Sequence, residues 1–209
     1  MIKIFSGSAN EMLANEVCEH VDVPLSKMNV MKFADGEIKC WPGENVRGYD
    51  VFVIQPTNPP ADNLMELLIM IDALKRASAN SVNVIIPYYG YARQDRKSQA
   101  REPITAKLVA DILTVAGATR TMTIDLHANQ IQGFFDIPFD NLTAMMIFKD
   151  YFESIGIRNP VAVSDIGGVT RANLFANSMS GTVAVFAKTR PKPDVVESLY
   201  FIGDVKDKD

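Results

Sequence analysis

The chain has 209 residues, enough for one large domain or two small ones, and either option buries a real core. With 47% hydrophobic and 22% charged residues it has the composition of an ordinary folded protein, which excludes disordered, collagen-like and disulfide-scaffold classes. Its 21 Lys and Arg against 25 Asp and Glu give a net charge of −4, so no overall positive field draws a phosphodiester backbone and nucleic acid is not an expected partner.

Met1-Ile2-Lys3-Ile4-Phe5 opens directly on a strand pattern at 2–5 rather than on a signal peptide. Asn10 then stands where it can cap a helix carrying Met12, Leu13 and Val17. Strands at 28–33 and 37–41 flank Asp35-Gly36, a hairpin turn signal. A strand at 50–55 leads to a helix with an apolar stripe of Leu64, Leu67, Leu68, Ile71 and Leu74. A strand at 82–87 is followed by a helix that takes Pro103 in its first turn and runs through Ile104, Leu108 and Ile112 to Gly117. Strands at 119–124, 161–164, 183–187 and 199–202 follow, with helices near 141–155 and 169–177.

Short β-branched strands alternating with amphipathic helices imply an α/β protein with a mostly parallel sheet. No Gly-, Ser- or Pro-rich linker divides the chain, but a second strand and helix series starts near Arg120, which places the expected boundary between domains 1–118 and 119–209. The second domain is short for an independent sheet. Cys18 and Cys40 lack metal-ligand spacing and read as reduced filler in a reducing compartment. No apolar run approaches the roughly 18 residues that span a bilayer. A cytoplasmic protein with no membrane partner is expected.

In parallel sheets ligands collect beyond the carboxyl ends of the strands, so the residues just after each strand carry the chemistry. After 82–87 comes Pro87-Tyr88-Tyr89-Gly90-Tyr91-Ala92-Arg93-Gln94-Asp95-Arg96-Lys97, where aromatic faces beside three cations suit a stacked base and its phosphates. The same composition also describes a solvated charged loop. After 119–124, Asp125 and His127 share a face if the chain stays extended, a pairing that binds a divalent cation or orients an imidazole. A hydrogen-bonded core histidine is the alternative.

After 161–164, Asp165 precedes Gly167-Gly168 and a helix start, an arrangement for phosphate or magnesium, or equally a helix cap with a tight turn. After 183–187, Lys188 and Arg190 share a face and suit a transferring phosphoryl group, although a charge run is often a solvated turn. The Phe33-Ala34-Asp35-Gly36-Glu37 turn is explained by structure alone. A nucleotide-phosphate and divalent-metal site is the sum of these features.

The strings from Pro87 to Lys97, from Arg101 to Lys107 and from Asp125 to Asp136 closely resemble ribose-phosphate pyrophosphokinases, also called phosphoribosyl pyrophosphate synthetases. Phe5-Ser6-Gly7-Ser8-Ala9-Asn10, the Phe33 to Glu37 turn, the Asp165 to Gly168 turn and Ile202-Gly203-Asp204-Val205 fall in the family's order. The resemblance implies two phosphoribosyltransferase-like doubly wound parallel-sheet domains, the second incomplete. It also implies transfer of the diphosphoryl group of ATP to the 1-hydroxyl of ribose 5-phosphate, giving phosphoribosyl diphosphate and AMP.

By the same resemblance Phe33, Asp35, Glu37, Arg93 and Gln94 contact ATP, the first three across a subunit interface of a homo-oligomer. His127, Asp165 and Asp125 match the Mg2+ positions, and Lys188 and Arg190 match the pair on a catalytic loop. Two departures stand out. Ser164 is followed directly by Asp165, where the family has an intervening proline, and the sequence stops at Asp209 where the family begins the strand leading to its ribose 5-phosphate loop. A chain truncated there is expected to be a poor catalyst alone, so a noncatalytic nucleotide-binding subunit associated with complete synthetases stands as the alternative. A dinucleotide-dependent dehydrogenase is disfavoured, because Ser6-Gly7-Ser8 lacks the glycine fingerprint after the first strand.

Overall fold

Apolar β-branched runs bounded by polar turns become strands when helices can cover a parallel sheet. The computed structural model describes residues 1–189 and 198–206. Its strands and helices run β1 Ile2–Ser6, α1 Glu11–Val21, β2 Leu25–Ser26, β3 Met28–Lys32, β4 Ile38–Pro42, β5 Asp50–Ile54, α2 Asp62–Arg76, β6 Ser81–Ile86 and α3 Thr105–Ala116. They continue with β7 Arg120–Ile124, β8 Phe139–Leu142, α4 Met145–Ser154, β9 Val161–Asp165, α5 Val169–Ser178, β10 Thr182–Thr189 and β11 Ser198–Ile202. The chain divides into two compact units, Met1–Leu142 and Thr143–Asp209.

The first unit holds a six-stranded sheet in the order β2-β1-β5-β6-β7-β8, and every pairing in it is parallel. From β1 the chain winds one way through α1 to β2 and the other way from β5 through α2, β6 and α3 to β7, so the winding direction reverses between β1 and β5. A separate antiparallel hairpin, β3 with β4, is inserted between β2 and β5. The main core gathers Phe5, Val51, Val53, Leu67, Met70, Ile71, Leu74, Val84, Ile86 and Leu113, all fully buried. Leu64 and Leu68 pack against it, so the apolar stripe read on α2 is the buried face. A smaller cluster of Ile4, Ala14, Cys18 and Ile54 lies under α1.

Asn10 caps α1 as expected, its Oδ1 accepting the Leu13 N–H at 3.1 Å. The buried face of that helix is Ala14 and Cys18, while Met12 points into solvent. Small side chains let the helix approach the sheet closely, which a search for large apolar residues overlooks. The same correction applies to α3. It begins at Thr105, beyond Pro103, and buries Ala106, Val109, Ala110 and Leu113 while Ile104 and Leu108 are exposed.

The expected boundary after residue 118 does not match the division into units. β7 pairs with β6 through Ile86 and Thr123, and β8 pairs with β7 through Ile124 and Leu142, so both strands continue the first sheet. The second unit has a three-stranded sheet in the order β11-β10-β9. Strands β9 and β10 are parallel and joined through α5, but β11 returns antiparallel to β10, so this sheet is mixed.

Candidate functional site

In the first unit the loops after β6 and β7 leave the same edge of the sheet, because the two strands are neighbours in parallel register. The loop after β6 is anchored by residues that the aromatic and charge count did not separate from those left outside. Tyr89 is buried, donates its hydroxyl to the Ala106 carbonyl at 3.0 Å and meets Phe135 edge-on at 5.9 Å. Burial and the Asp111 carboxylate push its phenol pKa up. Gly90 donates its N–H to Thr57 Oγ1 at 2.8 Å, and Thr57 N–H donates to the Tyr88 carbonyl at 2.9 Å, which knits this loop to the chain leaving β5.

Tyr88, Tyr91, Arg93 and Gln94 are exposed on this anchored frame. Tyr91 has φ +63, a left-handed conformation unusual for a bulky side chain, and its carbonyl accepts the Gln94 N–H at 2.9 Å. Gln94 Oε1 in turn accepts the Thr105 hydroxyl at 2.5 Å, and the Gln94 carbonyl accepts the Ala106 N–H at 3.1 Å. The loop that carries Arg93 is therefore tied to the start of α3. Strain of this kind persists only where surrounding contacts impose it, and it concentrates at ligand sites.

The chain leaving β7 does not stay extended. Asp125 adopts φ +53 and donates its N–H to the Leu142 carbonyl at the end of β8 at 2.9 Å, so the shared-face argument for Asp125 and His127 does not hold. Both side chains are nevertheless exposed at the carboxyl edge, which removes the buried-histidine alternative. A 3-10 turn at Asn129–Phe134 follows, and Gln130 Nε2 donates to the buried carboxylate of Asp95 at 2.6 Å. That bond joins the loop of Arg93 and Gln94 to the segment of Asp125 and His127.

The hairpin turn is as read from Asp35-Gly36. The Phe33 N–H donates to the Glu37 carbonyl at 2.9 Å, Gly36 takes φ +97, and Glu37 N–H donates to Asp35 Oδ1 at 3.1 Å. Phe33, Asp35 and Glu37 are all exposed, with the Lys39 ammonium 6.0 Å from the Phe33 ring centre. Among the described residues no hydrogen bond or ion pair joins this tip to the loops after β6 and β7.

In the second unit Asp165 ends β9 and caps the 3-10 turn Ile166–Gly168, its Oδ1 accepting the Gly168 N–H at 3.2 Å. The cap foreseen as the bland alternative is thus present. A Cβ on Gly168 would stand 2.3 Å from Ser164 Oγ, so the serine hydroxyl would have to turn aside to admit one, whereas Gly167 has only Asp165 Oδ1 within 4 Å. Asp165 pairs in register with Phe186, two residues before Lys188 on β10, so Asp165 and Lys188 belong to one end of this sheet. Arg190 lies outside the described residues.

Among the described residues no three His, Cys, Asp or Glu side chains converge as a metal cluster. A partly buried polar network between β1 and β5 belongs to none of the motifs legible in the sequence. There Ser8 N–H and Oγ donate to Glu66 at 2.6 and 2.7 Å, and Gln55 Nε2 donates to Glu66 Oε1 at 3.1 Å. A carboxylate four residues before Met70, on the apolar face of α2, was the available signal.

A profile of the N-terminal domain of ribose phosphate pyrophosphokinase matches residues 2–117. The chain is 59% identical to the ribose-phosphate pyrophosphokinase of Thermosipho africanus, over 99% of this chain and 67% of that protein. It is 56% identical to the corresponding protein of Wolinella succinogenes, over 99% of this chain and 68% of that one. The crystal structure of phosphoribosylpyrophosphate synthetase from Mycobacterium smegmatis superposes with a TM-score of 0.89 at 44% identity, covering 99% of this chain and 68% of the other. The chain therefore spans about two thirds of the length of these relatives. Among the described residues no helix is long and apolar enough to cross a membrane.

Proposed function

The chain belongs to the ribose-phosphate pyrophosphokinase family, and from that premise we propose that its first unit binds ATP on the loops after β6 and β7, for transfer of the diphosphoryl group to ribose 5-phosphate. The observation that carries the proposal is the Gln130–Asp95 bond of 2.6 Å, which holds exposed Arg93 and Gln94 and exposed Asp125 and His127 on one connected edge. Arg93 supplies a charge-assisted hydrogen bond to phosphate, and Gln94, already fixed by Thr105, supplies an amide. In the first unit Asp125 and His127 would hold the magnesium ion of magnesium-ATP; in the second unit, taken by itself, Asp165 is the magnesium candidate. That ion neutralises phosphate charge when bound.

The 1-hydroxyl oxygen of ribose 5-phosphate attacks the β-phosphorus of ATP, the bond to the α-phosphate oxygen breaks, and AMP leaves with that oxygen while the hydroxyl proton is lost to solvent. Lys188 and Arg190 stabilise the charge on the transferring group, since such reactions depend on positioning and on cations at the developing charge. Phe33, Asp35 and Glu37, on an exposed hairpin tip, contact the nucleotide of a neighbouring copy in a homo-oligomer. A cytoplasmic enzyme of nucleotide biosynthesis follows from this assignment.

Calorimetric titration with magnesium-ATP and then ribose 5-phosphate tests it, followed by assay of phosphoribosyl diphosphate and AMP in equal amounts. Heat on ATP addition that disappears in Arg93→Ala is the expected result. No heat with ATP sinks the nucleotide assignment. ATP binding without product formation moves the chain to the noncatalytic nucleotide-binding class.

A further inference from the structure

A doubly wound sheet takes its ligand beyond the carboxyl ends of its strands where the winding direction reverses. In the first unit that place lies between β1 and β5, bounded by Gly7, Ser8 and Ala9 after β1 and by Gln55 after β5. The backbone N–H groups of Ser8 and Ala9 form a polar lip of the kind that cradles anions. Both are occupied from within. Ser8 N–H and Oγ donate to the two oxygens of the Glu66 carboxylate at 2.6 and 2.7 Å, and Ala9 N–H donates to Gln55 Oε1 at 3.1 Å. Gln55 Nε2 closes the ring on Glu66 Oε1 at 3.1 Å and on the Asn63 carbonyl at 3.4 Å.

The ring fills the space beside Gly7. Gln55 is 0% and Glu66 3% exposed, and a Cβ on Gly7 would meet Gln55 Oε1 at 2.3 Å and Glu66 Oε1 at 2.8 Å. We propose that Glu66 is a positioning residue that serves as a built-in anion, its carboxylate holding the β1–α1 loop as a phosphate would and closing the first unit's own crevice to ligands. The inference stands on this geometry and not on the nucleotide assignment above. It gives a reason for exposed chemistry on the loops after β6 and β7, because the place where the fold ordinarily takes its ligand is filled.

Two measurements on the 209-residue chain test it. Glu66→Ala removes the carboxylate and leaves Ser8 and Gln55 without their acceptor, so the thermal midpoint should fall by roughly 4–10 °C. Sodium formate should restore part of that loss in a saturable way, beyond sodium chloride of equal ionic strength, in Glu66→Ala and not in Glu66→Gln, whose side chain fills the space. A folded Glu66→Ala chain that formate does not rescue overturns the proposal, because a merely structural side chain gains nothing from a free anion. The second measurement uses the unsubstituted chain and does not depend on the variant folding. The amide resonances of Ser8 and Ala9 should stay in place on titration with inorganic phosphate and with magnesium-ATP, and their displacement by either ligand would show an open crevice and overturn the proposal. The nucleotide assignment fails separately, by loss of ATP heat with these resonances unmoved.

Discussion

Gly90 shows how closely the candidate loop is fitted to its support. A Cβ there would stand 2.2 Å from the Thr57 carbonyl oxygen and 3.1 Å from Thr57 Oγ1, and the nearer atom is backbone that cannot turn aside. Gly90→Ala is therefore expected to destabilise the chain by about 1–3 kcal/mol, read as a lower urea midpoint. An unchanged midpoint would mean that the loop is looser than these contacts require. Cys40 carries a pH-dependent prediction. Burial, reinforced by the Glu66 carboxylate, raises its thiol from 9.0 to about 12. The folded chain thus holds this proton more tightly than the unfolded chain, so the contribution is fully present below pH 9 and is lost as pH rises toward about 12. Stability measured across that window should fall less steeply in Cys40→Ala than in the parent chain. Equal slopes would place the alkaline loss on other groups, of which Tyr89 shifts in the same direction.

At the scale of elements, the loop after β6 and the 3-10 turn after β7 share one polar link that ties two parts of the candidate site. Asp95 is 8% exposed, and Gln130 donates to its carboxylate at 2.6 Å. Gln130→Leu leaves that buried carboxylate short of a donor and is expected to cost about 1–3 kcal/mol by urea unfolding, with faster proteolysis between Tyr88 and Arg101. A variant as stable and as resistant as the parent would show that the two segments hold independently. The strands, the hairpin and the helices were readable because β-branched runs, the Asp35-Gly36 turn and the Leu67, Ile71, Leu74 stripe each obey a local period. β2 and β8 were not. Leu25–Ser26 has two residues and no period, and Phe139–Leu142 is read as strand only through its pairing with β7. The positions of Arg93, Gln94 and His127 after strands were likewise legible, while the orientation of Asp125 was not, because its φ of +53 is imposed by the Leu142 carbonyl from another strand. The Glu66 ring escaped for the same reason, since its partners are 11 and 58 residues away along the chain.

Across the whole molecule, burial is distributed unequally between the two units. The first contains the whole of both apolar clusters, from Ile4 and Phe5 to Ile131 and Phe135. In the second the fully or nearly buried apolar residues among those described are Pro160, Ala176, Met179 and Ala184, and α4 buries none of its side chains. Its Met146, Ile147, Phe148 and Tyr151 are exposed, and the Phe152 and Phe175 rings, 5.7 Å apart, link α4 with α5. Apolar burial contributes about 25 cal/mol per Å², so the second unit draws little stabilisation from its own interior while bearing the same conformational entropy cost per residue. Opening free energies should therefore differ between units, because elements with few buried contacts open without the rest of the chain. Hydrogen exchange read by mass spectrometry is expected to show α2, β5, β6 and β7 exchanging only through global unfolding. Peptides from α4 and β9 should exchange through openings of much lower free energy. A fragment ending at Leu142 should then keep a single cooperative unfolding transition, since both clusters lie within it. Protection in α4 equal to that in α2, or a noncooperative fragment, would mean that the units fold as one and that the first needs the second to close its core.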